Sequence, residues 1–309
     1  MAFVSVVIPV RNHPAELERA LRSVEAQTYT DWECLVIENG SDDPSVNKAV
    51  VESMENARIR FIDIGLVDNA NYARNAGIEK ANGDYIAFLD SDDEWLSNHL
   101  ALSLEKIRTT GALAVYGNFY VDNGLSRVAT KSPSIRKDEA GDKYRIAGGG
   151  KAQTSSFVIE KNACLEVGWD NDLRRGQDVD FFIRMHASHL WAHVHEPAVV
   201  VYWQQGAARN IDTASCLKMY TKHEKQWDTE SRVTYLRSLY LQGIQYGDRE
   251  DLIDDIRGRL LREEDLSMFL WLLAKNFWLA RVYLSARGMA AYGVHKVRGI
   301  FLGRGKQSF

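Results

Sequence analysis

Three carboxylates stand within four residues, at Asp90, Asp92 and Asp93, directly after the apolar run 85–89. An apolar run of this length predicts a strand that is buried on both faces, as in a parallel sheet. Acids just past such a strand lie at the carboxyl edge of an open α/β sheet, where ligands usually bind. Asp90 and Asp92, two residues apart, can both reach one hard cation or the ligand that it carries. In the alternative interpretation, Asp92 and Asp93 only cap a helix that begins near Trp95.

Four histidines close together in the sequence suggest a second candidate metal site. His186 and His189 are three residues apart on a predicted helix, and His193 and His195 share one face of a predicted strand. The sequence shows no accompanying pattern of groups that would orient such ligands. We therefore expect structural or surface histidines rather than a zinc site.

Strands and helices alternate along the first part of the chain and would position the acidic stretch. Continuous apolar runs predict the strands, and apolar residues at helical spacing, such as Leu17, Leu21 and Val24, predict the helices between them. The predicted order is strand 4–9, a helix from Pro14, strand 33–38, a helix opened by residues 39–44, strand 59–64, a helix through 72–78, strand 85–90, a helix through 96–107 and strand 112–120. This alternation predicts an α/β fold with a doubly wound, mostly parallel sheet flanked by helices.

The pattern changes near Asp122. Residues 131–150 are polar and basic and end in three glycines. Loops of this length are uncommon in compact domains and are often active-site lids, whereas plain disorder is the alternative. Order is predicted to return with a strand at 154–159, a short helix containing Cys164, a helix opened by residues 177–180 and strands at 191–195 and 198–202.

The composition is that of an ordinary soluble globular protein, with 309 residues, 45% of them hydrophobic and 26% charged. A net charge of −4 gives no reason to expect a nucleic-acid partner. Cys34, Cys164 and Cys216 are odd in number and lack metal-type spacing, which fits a reducing cytoplasm. The apolar run 3–10 is predicted to be a first strand rather than a signal peptide. A membrane-spanning helix needs roughly 18 or more consecutive apolar residues, and no segment of the sequence has an apolar run near that length.

The C-terminal part of the chain is helical in pattern and differs in composition. We expect one domain over residues 1–210 and a helical extension over 211–309. After Asp265 there is no acidic residue, while lysines and arginines accumulate among aromatic residues such as Trp271 and Tyr283. A basic helix with aromatic anchors can lie on an anionic membrane surface, here the inner face of the membrane. A helical cap on the first domain and a homo-oligomer contact are the alternatives.

Five short segments occur along the chain in a set order: VSVVIP at 4–9, NGSD at 39–42, ARNAG at 73–77, GDYIAFLDSDD at 83–93 and QD at 177–178. Together they resemble the family 2 nucleotide-sugar glycosyltransferases, which have the GT-A fold, and the resemblance covers roughly residues 3–205. It implies an inverting enzyme that moves a sugar from a nucleotide-diphosphate donor, with a UDP- or dTDP-sugar favoured. The acceptor would be a hydroxyl of a glycan or lipid-linked precursor, as in bacterial surface polysaccharide synthesis.

The resemblance also implies where the donor binds. The implied donor-binding residues are Pro9, Val10, Arg11, Glu38, Asn39, Arg74, Asp90 and Ser91. Asn39 stands where the family usually has an acid that accepts a hydrogen bond from uracil N3. An asparagine carbonyl can accept the same bond, but the change leaves the identity of the base open. Arg74 would approach the base or the diphosphate, and Asp90 would contact the ribose.

The metal and the catalytic base are likewise implied by the resemblance. Asp92 would be the protein ligand to Mn²⁺ or Mg²⁺, and such sites need only one or two carboxylates because phosphate and water supply the rest. Asp178 would accept the proton of the acceptor hydroxyl, with Asp180 as the rival base and Gln177 in place of the usual Glu. The residues expected near the acceptor are Thr154, Ser155, Trp203 and Gln205.

Two departures from the family pattern, at Asn39 and Gln177, motivate a different class of function. A sugar-nucleotide-binding protein without transferase activity would tolerate both changes. A nucleotidyltransferase is a further alternative, but it would want a glycine-rich phosphate loop after the first strand, and residues 11–14 do not form one.

Overall fold

The computed structural model describes residues 2–203, 212–264, 266–276 and 279–285. The chain divides into two compact units, Met1–Met219 (unit 1) and Tyr220–Phe309 (unit 2). The expected domain boundary after residue 210 falls outside the described residues and stays a prediction.

The main sheet of unit 1 has seven strands. The strands of this unit are β1 Val4–Val10, β2 Trp32–Glu38, β3 Ile59–Asp63, β4 Tyr85–Phe88, β5 Glu94–Trp95, β6 Ala114–Gly117, β7 Tyr120–Asp122, β8 Arg127–Ala129, β9 Val158–Glu160, β10 Trp191–Val194 and β11 Val199–Tyr202. The order in the main sheet is β10-β6-β9-β4-β1-β2-β3. Neighbours are parallel except that β9 runs antiparallel to β4 and β6. The predicted doubly wound, mostly parallel α/β sheet is confirmed.

Helices cover both faces of this sheet because side chains alternate along each strand. The helices of the main fold are α1 Pro14–Glu25, α2 Pro44–Ser53, α3 Ala70–Lys80, α4 His99–Thr110, α5 Lys161–Val167 and α6 Gln177–Ser188. In β1, Val6 belongs to an apolar cluster with Leu17 of α1, whereas Val7 belongs to a second cluster with Phe181 of α6. All seven residues of β1 and all seven of β2 are buried, which explains the apolar runs 6–10 and 34–37 within them.

The strands that precede the candidate site end at one edge of the sheet. In the parallel register, Val10 of β1 pairs with Glu38 of β2, and Val7 pairs with Phe88, the last residue of β4. The loops that follow these three strands therefore lie side by side, as is usual for ligand sites in open α/β sheets.

Three predicted elements differ from those observed. The helix expected near Trp95 begins at His99, after the short strand β5, so Asp92 and Asp93 do not cap it. The single strand expected at 112–120 is divided between β6 of the main sheet and β7 of a second sheet, whose order is β5-β11-β7-β8. Thr154–Ser156 forms a 3₁₀ turn before β9 rather than the start of a strand. In each case long-range pairing, which periodicity does not report, decides the conformation.

The segment 131–150 is anchored to the core of unit 1. Its Ile135 and Tyr144 are buried, and Tyr144 stacks on Phe182 of α6 with ring centroids 5.7 Å apart. The hydroxyl of Tyr116 donates to the hydroxyl of Tyr144 at 2.8 Å. The disorder alternative for this segment is therefore wrong, since a buried aromatic side chain attaches it to α6.

The described part of the C-terminal region is helical. It contains α7 Thr213–His223, which crosses the division between the units, α8 Thr229–Tyr246, α9 Glu250–Leu260 and α10 Met268–Lys275. Within unit 2, Tyr240 of α8 donates its hydroxyl to the carbonyl of Leu273 of α10 at 3.2 Å. Among the described residues, no helix combines the length and the apolar character needed to cross a bilayer.

Candidate active site

A buried arginine organises the carboxyl end of β4. Arg74 is 3% exposed, and its Nη2 lies 2.6 Å from Asp90 Oδ1. Its Nη1 donates to Asn71 Oδ1 at 3.0 Å, and the guanidinium lies over the Trp169 ring, 4.7 Å from the centroid. The side chain of Asp90 keeps 24% of its surface exposed. Asp90 is therefore held by a fixed cation while part of its carboxylate stays open to a ligand.

Asp93 holds the acidic loop, residues 90–93, to the turn that contains Ser155. Its Oδ2 accepts a hydrogen bond from Ser155 Oγ at 2.5 Å, and the same Ser155 oxygen accepts one from the backbone of Asp90 at 3.1 Å. Burial, followed by the charges of Asp90 and Asp92, raises the pKa of Asp93 well above its usual value. Because Ser155 is buried and bound to this loop, we assign it to support of the loop rather than to the expected acceptor contact.

Asp92 lies partly exposed in the same negatively charged loop. Burial, followed by the charge of Asp90, raises the pKa of Asp92, and His13 and Arg19 oppose this effect. Arg19 Nη2 also donates to the backbone carbonyl of Asp92 at 2.6 Å. Neighbouring carboxylates that repel one another gain from a bound cation, so this donor set fits a hard divalent ion such as Mn²⁺ or Mg²⁺.

A closed metal cage is absent from the described part of the chain. No group of three or more His, Cys, Asp or Glu side chains there is arranged to hold a metal ion. An ion bound at Asp92 would therefore take its remaining ligands from phosphate oxygens and water, as magnesium-type sites commonly do.

The loop after β1 is clamped to the loop after β2. Asn12 adopts a left-handed conformation with φ 57°, and its Oδ1 accepts a hydrogen bond from the backbone of Asp42 at 2.9 Å. Pro9 and Val10 are buried within β1, and the carbonyl of Val10 accepts a hydrogen bond from the backbone of Asn39 at 3.1 Å. Arg11, the next residue, is exposed, so its side chain is accessible.

Glu38 shapes the turn that follows β2. It is fully buried, and its Oε1 accepts hydrogen bonds from the backbones of Gly40 at 2.9 Å and Ser41 at 2.6 Å. Its Oε2 accepts a third from Asn47 Nδ2 at 2.8 Å. These bonds engage both oxygens of Glu38. Asn39, the next residue, is also buried, at 4% exposure, and its contact with the nucleotide base stays a prediction.

Asp178 stands in the first turn of α6, after Gly176, whose φ is 75°. Arg145 of the segment 131–150 reaches it, with Arg145 Nη2 and Asp178 Oδ2 separated by 3.1 Å. The other terminal nitrogen of Arg145 donates to the carbonyl of Gly150 at 2.9 Å. The side chain of Asp178 is 30% exposed, so it is both oriented and accessible.

Asp180, the rival base, has a structural role. It is fully buried, and its Oδ2 lies 2.7 Å from Arg184 Nη2, one turn along α6. Arg184 also donates to the carbonyls of Val167 and Gly168 and so ties α6 to the end of α5. A carboxylate without exposure cannot meet an acceptor hydroxyl, and the geometry therefore favours Asp178.

An aromatic cluster links the acidic loop to α6. Trp169, which lies under Arg74, stacks on Phe181 with ring centroids 4.1 Å apart and an interplanar angle of 6°. Phe88, two residues before Asp90, meets Phe181 edge-on at 6.3 Å. Phe181 lies one turn after Asp178, so the two acidic positions are attached to the same cluster at one end of the sheet.

Thr154, Trp203 and Gln205 are the other residues expected near the acceptor. Thr154 is buried and Trp203 is half exposed at the end of β11, whereas Gln205 is outside the described residues. The acceptor contacts of Thr154 and Trp203 stay predictions.

The four histidines do not converge on one site. His193 and His195 both lie 3.3 Å from Ser134 Oγ, whereas His186 and His189 bind other parts of the chain. The expectation of structural histidines agrees with these contacts.

Sequence reasoning did not single out Asn71, Arg145 or Trp169. Asn71 and Arg74 are three residues apart on α3, a spacing that brings side chains together on a helix and was available as a signal. Arg145 was one of several basic residues in a polar segment, and Trp169 one of eight tryptophans, so nothing local distinguished either of them.

Known proteins that resemble this chain belong to one family of glycosyltransferases. The model of the family described as glycosyl transferase family 2 matches residues 5–172. The putative colanic acid biosynthesis glycosyl transferase WcaA of Escherichia coli K12 is 28% identical over 284 residues, which cover 83% of this chain and 98% of that protein. An uncharacterized glycosyltransferase of Haemophilus influenzae is 31% identical over 256 residues, with 80% and 98% covered. The UDP-Glc:alpha-D-GlcNAc-diphosphoundecaprenol beta-1,3-glucosyltransferase WfgD of E. coli is 33% identical over 125 residues, with 40% and 49% covered.

Solved structures of low sequence identity share the fold. S. aureus TarS 1-349 in complex with UDP-GlcNAc matches with a TM-score of 0.56 and 14% identity, over 88% of this chain and 79% of that one. The mannosyltransferase PcManGT from Pyrobaculum calidifontis, in complex with GDP-Man and Mn²⁺, matches with a TM-score of 0.53 and 15% identity, over 97% and 81%. The expected GT-A fold is confirmed.

Proposed function

The chain belongs to glycosyl transferase family 2, and on that premise we propose that it is a metal-dependent, inverting enzyme that moves a sugar from a nucleotide diphosphate to a hydroxyl. The observation that carries the proposal is the attachment of Asp90 and Asp178 to one aromatic cluster at the carboxyl edge of the sheet, with Asp92 beside Asp90. This arrangement supports a donor site and a base within one region of unit 1.

The donor nucleotide would lie over the loops that follow β1, β2 and β4. Arg11 and Asn39 are the side chains proposed for the base, while Asp90, held by Arg74, accepts hydrogen bonds from the ribose hydroxyls. Ser91 lies in the loop after β4 and is buried, and its Oγ is 3.4 Å from His13 Nδ1. A UDP- or dTDP-sugar is favoured, since the Asn39 carbonyl can accept a hydrogen bond from a pyrimidine N3–H.

Asp92 is the proposed ligand for Mn²⁺ or Mg²⁺. A divalent ion bound there stabilises the negative charge that develops on the departing nucleoside diphosphate. Asp93 and Ser155 hold the loop in position, because their hydrogen bond joins the loop to the 3₁₀ turn before β9.

Asp178 would act on the acceptor. It accepts the proton of the incoming hydroxyl, and a single displacement by that oxygen inverts the anomeric carbon. General base catalysis contributes typically about 10²–10⁴-fold to rate. Arg145 holds the carboxylate in one orientation during this transfer.

The names of two relatives support a proposal for the acceptor class. The name of WfgD specifies a diphosphoundecaprenol-linked sugar as its acceptor, and the name of WcaA specifies colanic acid biosynthesis. We extend this to a lipid-linked or polysaccharide precursor as the acceptor here, handled on the cytoplasmic side of the membrane. Trp203, half exposed at the end of β11, is the side chain proposed to stack on the acceptor sugar.

The second candidate is a sugar-nucleotide-binding protein without transferase activity, which the departures at Asn39 and Gln177 favour. The buried position of Asp180 against the accessible position of Asp178 supports the transferase, because a base with access to substrate is retained.

The experiment is a screen of nucleotide-diphosphate sugars by thermal shift with and without Mn²⁺, followed by transfer assays on lipid-linked acceptors. A ligand that binds only the folded state raises the melting temperature. Asp92→Asn is expected to weaken donor binding in Mn²⁺ at least tenfold or so, since even the groups that support metal ligands are worth about 10–100-fold in affinity. Tight binding of a donor without turnover on any acceptor would favour the second candidate. Donor binding that is unchanged by removal of Mn²⁺ and by Asp92→Asn would refute the metal assignment.

A further inference from the structure

Unit 2 exposes a cluster of large apolar side chains, here called the apolar patch. Its members are Met268, Phe269, Trp271, Leu272, Leu279 and Val282. Met268 is 80% exposed and Trp271 is 45% exposed, although both belong to α10. Only Leu273 and Ala274 of this helix are buried. A helix packed as a cap would bury its largest apolar residues, and α10 exposes them instead.

A groove of about 530 Å³ adjoins the patch within unit 2. Leu241 of α8 and Leu270 and Leu273 of α10 contribute its apolar walls. Arg237 is the single charged side chain among the described residues that line it, and no carboxylate does so. Among the described residues, the groove lining therefore combines apolar side chains with hydroxyl and amide groups and one cation, and the groove shares Phe269 with the patch.

The charge of the surrounding sequence is one-sided. Residues 266–309 contain seven Lys or Arg and no Asp or Glu. Two of these cations, Lys275 and Arg281, lie in the described segments that carry the patch, and Lys275 Nζ is 5.5 Å from the centroid of the Trp271 ring. Tryptophan and phenylalanine next to lysine and arginine are characteristic of helices that lie in a membrane interface.

The length of α10 decides how it can meet a membrane. Its eight residues span only about 12 Å at 1.5 Å per residue, whereas the hydrocarbon core of a bilayer is about 30 Å thick. The helix is therefore long enough to lie in the interface and too short to cross it.

We propose that the apolar patch inserts into the surface of an anionic phospholipid bilayer, with Lys275 and Arg281 near the lipid headgroups. Burial of the exposed apolar side chains supplies affinity, and the cations select anionic over zwitterionic lipid. This surface lies outside the residues assigned to sugar transfer, and the proposal stands independently of the donor and the acceptor.

The test is co-sedimentation of the full chain with vesicles of phosphatidylglycerol and phosphatidylcholine, compared with vesicles of phosphatidylcholine alone, at low and high salt. We expect binding to the anionic vesicles that weakens as salt rises, because salt screens the attraction between the cations and the headgroups. A triple variant with Phe269→Ser, Trp271→Ser and Leu272→Ser is expected to bind roughly tenfold or more weakly, since it removes apolar side chains that would be buried in the bilayer. All three side chains are exposed, so the fold should be retained, and circular dichroism checks this.

A matched control replaces exposed apolar residues elsewhere, with Leu125→Ser and Val128→Ser near the β7–β8 turn of unit 1. This variant is expected to bind vesicles as the parent protein does. The proposal is overturned if the parent protein fails to bind anionic vesicles at low salt, or if the triple variant binds as well as the parent. Dissociation of an oligomer by the triple variant, without vesicle binding by the parent, would assign the patch to a contact between copies. The vesicles contain neither donor nor acceptor, so failure here is distinct from failure of the proposed reaction.

Discussion

Arg145 Nη2 lies 3.1 Å from Asp178 Oδ2 and joins the segment 131–150 to the start of α6. The guanidinium also lies 5.6 Å from the centroid of the Phe182 ring, and its side chain is only 9% exposed. A largely buried cation with several partners has little freedom to move. The carboxylate assigned as the base is therefore oriented by a residue that lies 33 positions earlier in the chain.

Arg145→Ala is expected to lower kcat by about 10–100-fold with little change in the KM of the donor, because a misdirected base loses most of its advantage. Arg145→Lys, which keeps the charge but not the two-pronged geometry, should recover part of the rate. Steady-state kinetics with a fixed acceptor measures both. Arg136→Ala, an exposed arginine in the same segment, is the control and should behave as the parent. A rise in kcat for Arg145→Ala would show instead that the ion pair restrains the base.

Asp178→Asn and Asp180→Asn are expected to separate catalysis from stability. Asp178→Asn should lower kcat by about 10²–10⁴-fold and cost less stability than Asp180→Asn does, because Asp178 is 30% exposed whereas Asp180 is fully buried. Asp180→Asn removes the charge from a fully buried ion pair with Arg184 and should cost about 3 kcal/mol of stability. Urea unfolding and turnover are measured on both variants. Loss of turnover in a stable Asp180→Asn protein, with Asp178→Asn active, would reverse the two roles.

Gly77 allows α3 to approach β1 closely. A Cβ at this position would lie 2.3 Å from Val7 Cγ1, in the interior of the sheet. Gly77→Ala is therefore expected to lower the free energy of unfolding by about 1–3 kcal/mol through overpacking. Gly258 of α9 is the matched control, since a Cβ added there would have no neighbouring atom within 4 Å. Gly258→Ala should raise stability by about 0.5–1 kcal/mol, because alanine favours the helix. Chemical denaturation that shows equal effects would contradict the close approach.

His99 should make stability depend on pH. It is buried against Trp95, with ring centroids 4.5 Å apart, and burial lowers the pKa of His99 from 6.5 to about 3. Between these two pKa values, the unfolded chain binds a proton at His99 that the folded protein does not bind. The free energy of unfolding is therefore unaffected by protonation of His99 above pH 6.5 and decreases as the pH falls from 6.5 toward 3.

Between pH 7 and pH 5, the parent protein is expected to lose about 2 kcal/mol more than His99→Phe, which keeps a ring against Trp95 and does not titrate. Urea unfolding at the two pH values measures the difference between the proteins, so the absolute stability of the variant does not matter. Equal losses in the two proteins would show that His99 accepts a proton without unfolding.

Local patterns in the chain were enough to predict the sheet and the acidic loop. The strands β1, β2 and β4 contain apolar runs at 6–10, 34–37 and 85–88 that do not alternate with polar residues. Such runs are typical of strands buried on both faces, and the carboxylates follow shortly after one of them. Such signals are local, since each depends on residues adjacent in the chain. The same is true of the ordered segments through which the family and the GT-A fold were recognised and then confirmed.

Which polar groups are engaged and which are open could be learned only from the folded chain. Ser155 binds Asp93 across 62 positions of sequence, and Arg145 binds Asp178 across 33, so no local pattern could predict either pair. The sequence also did not predict whether α10 is buried or exposed, because an apolar helix has the same residue pattern in the interior of a protein and on its surface. Burial and hydrogen bonding depend on what the rest of the chain places nearby, and that is settled only when distant segments meet.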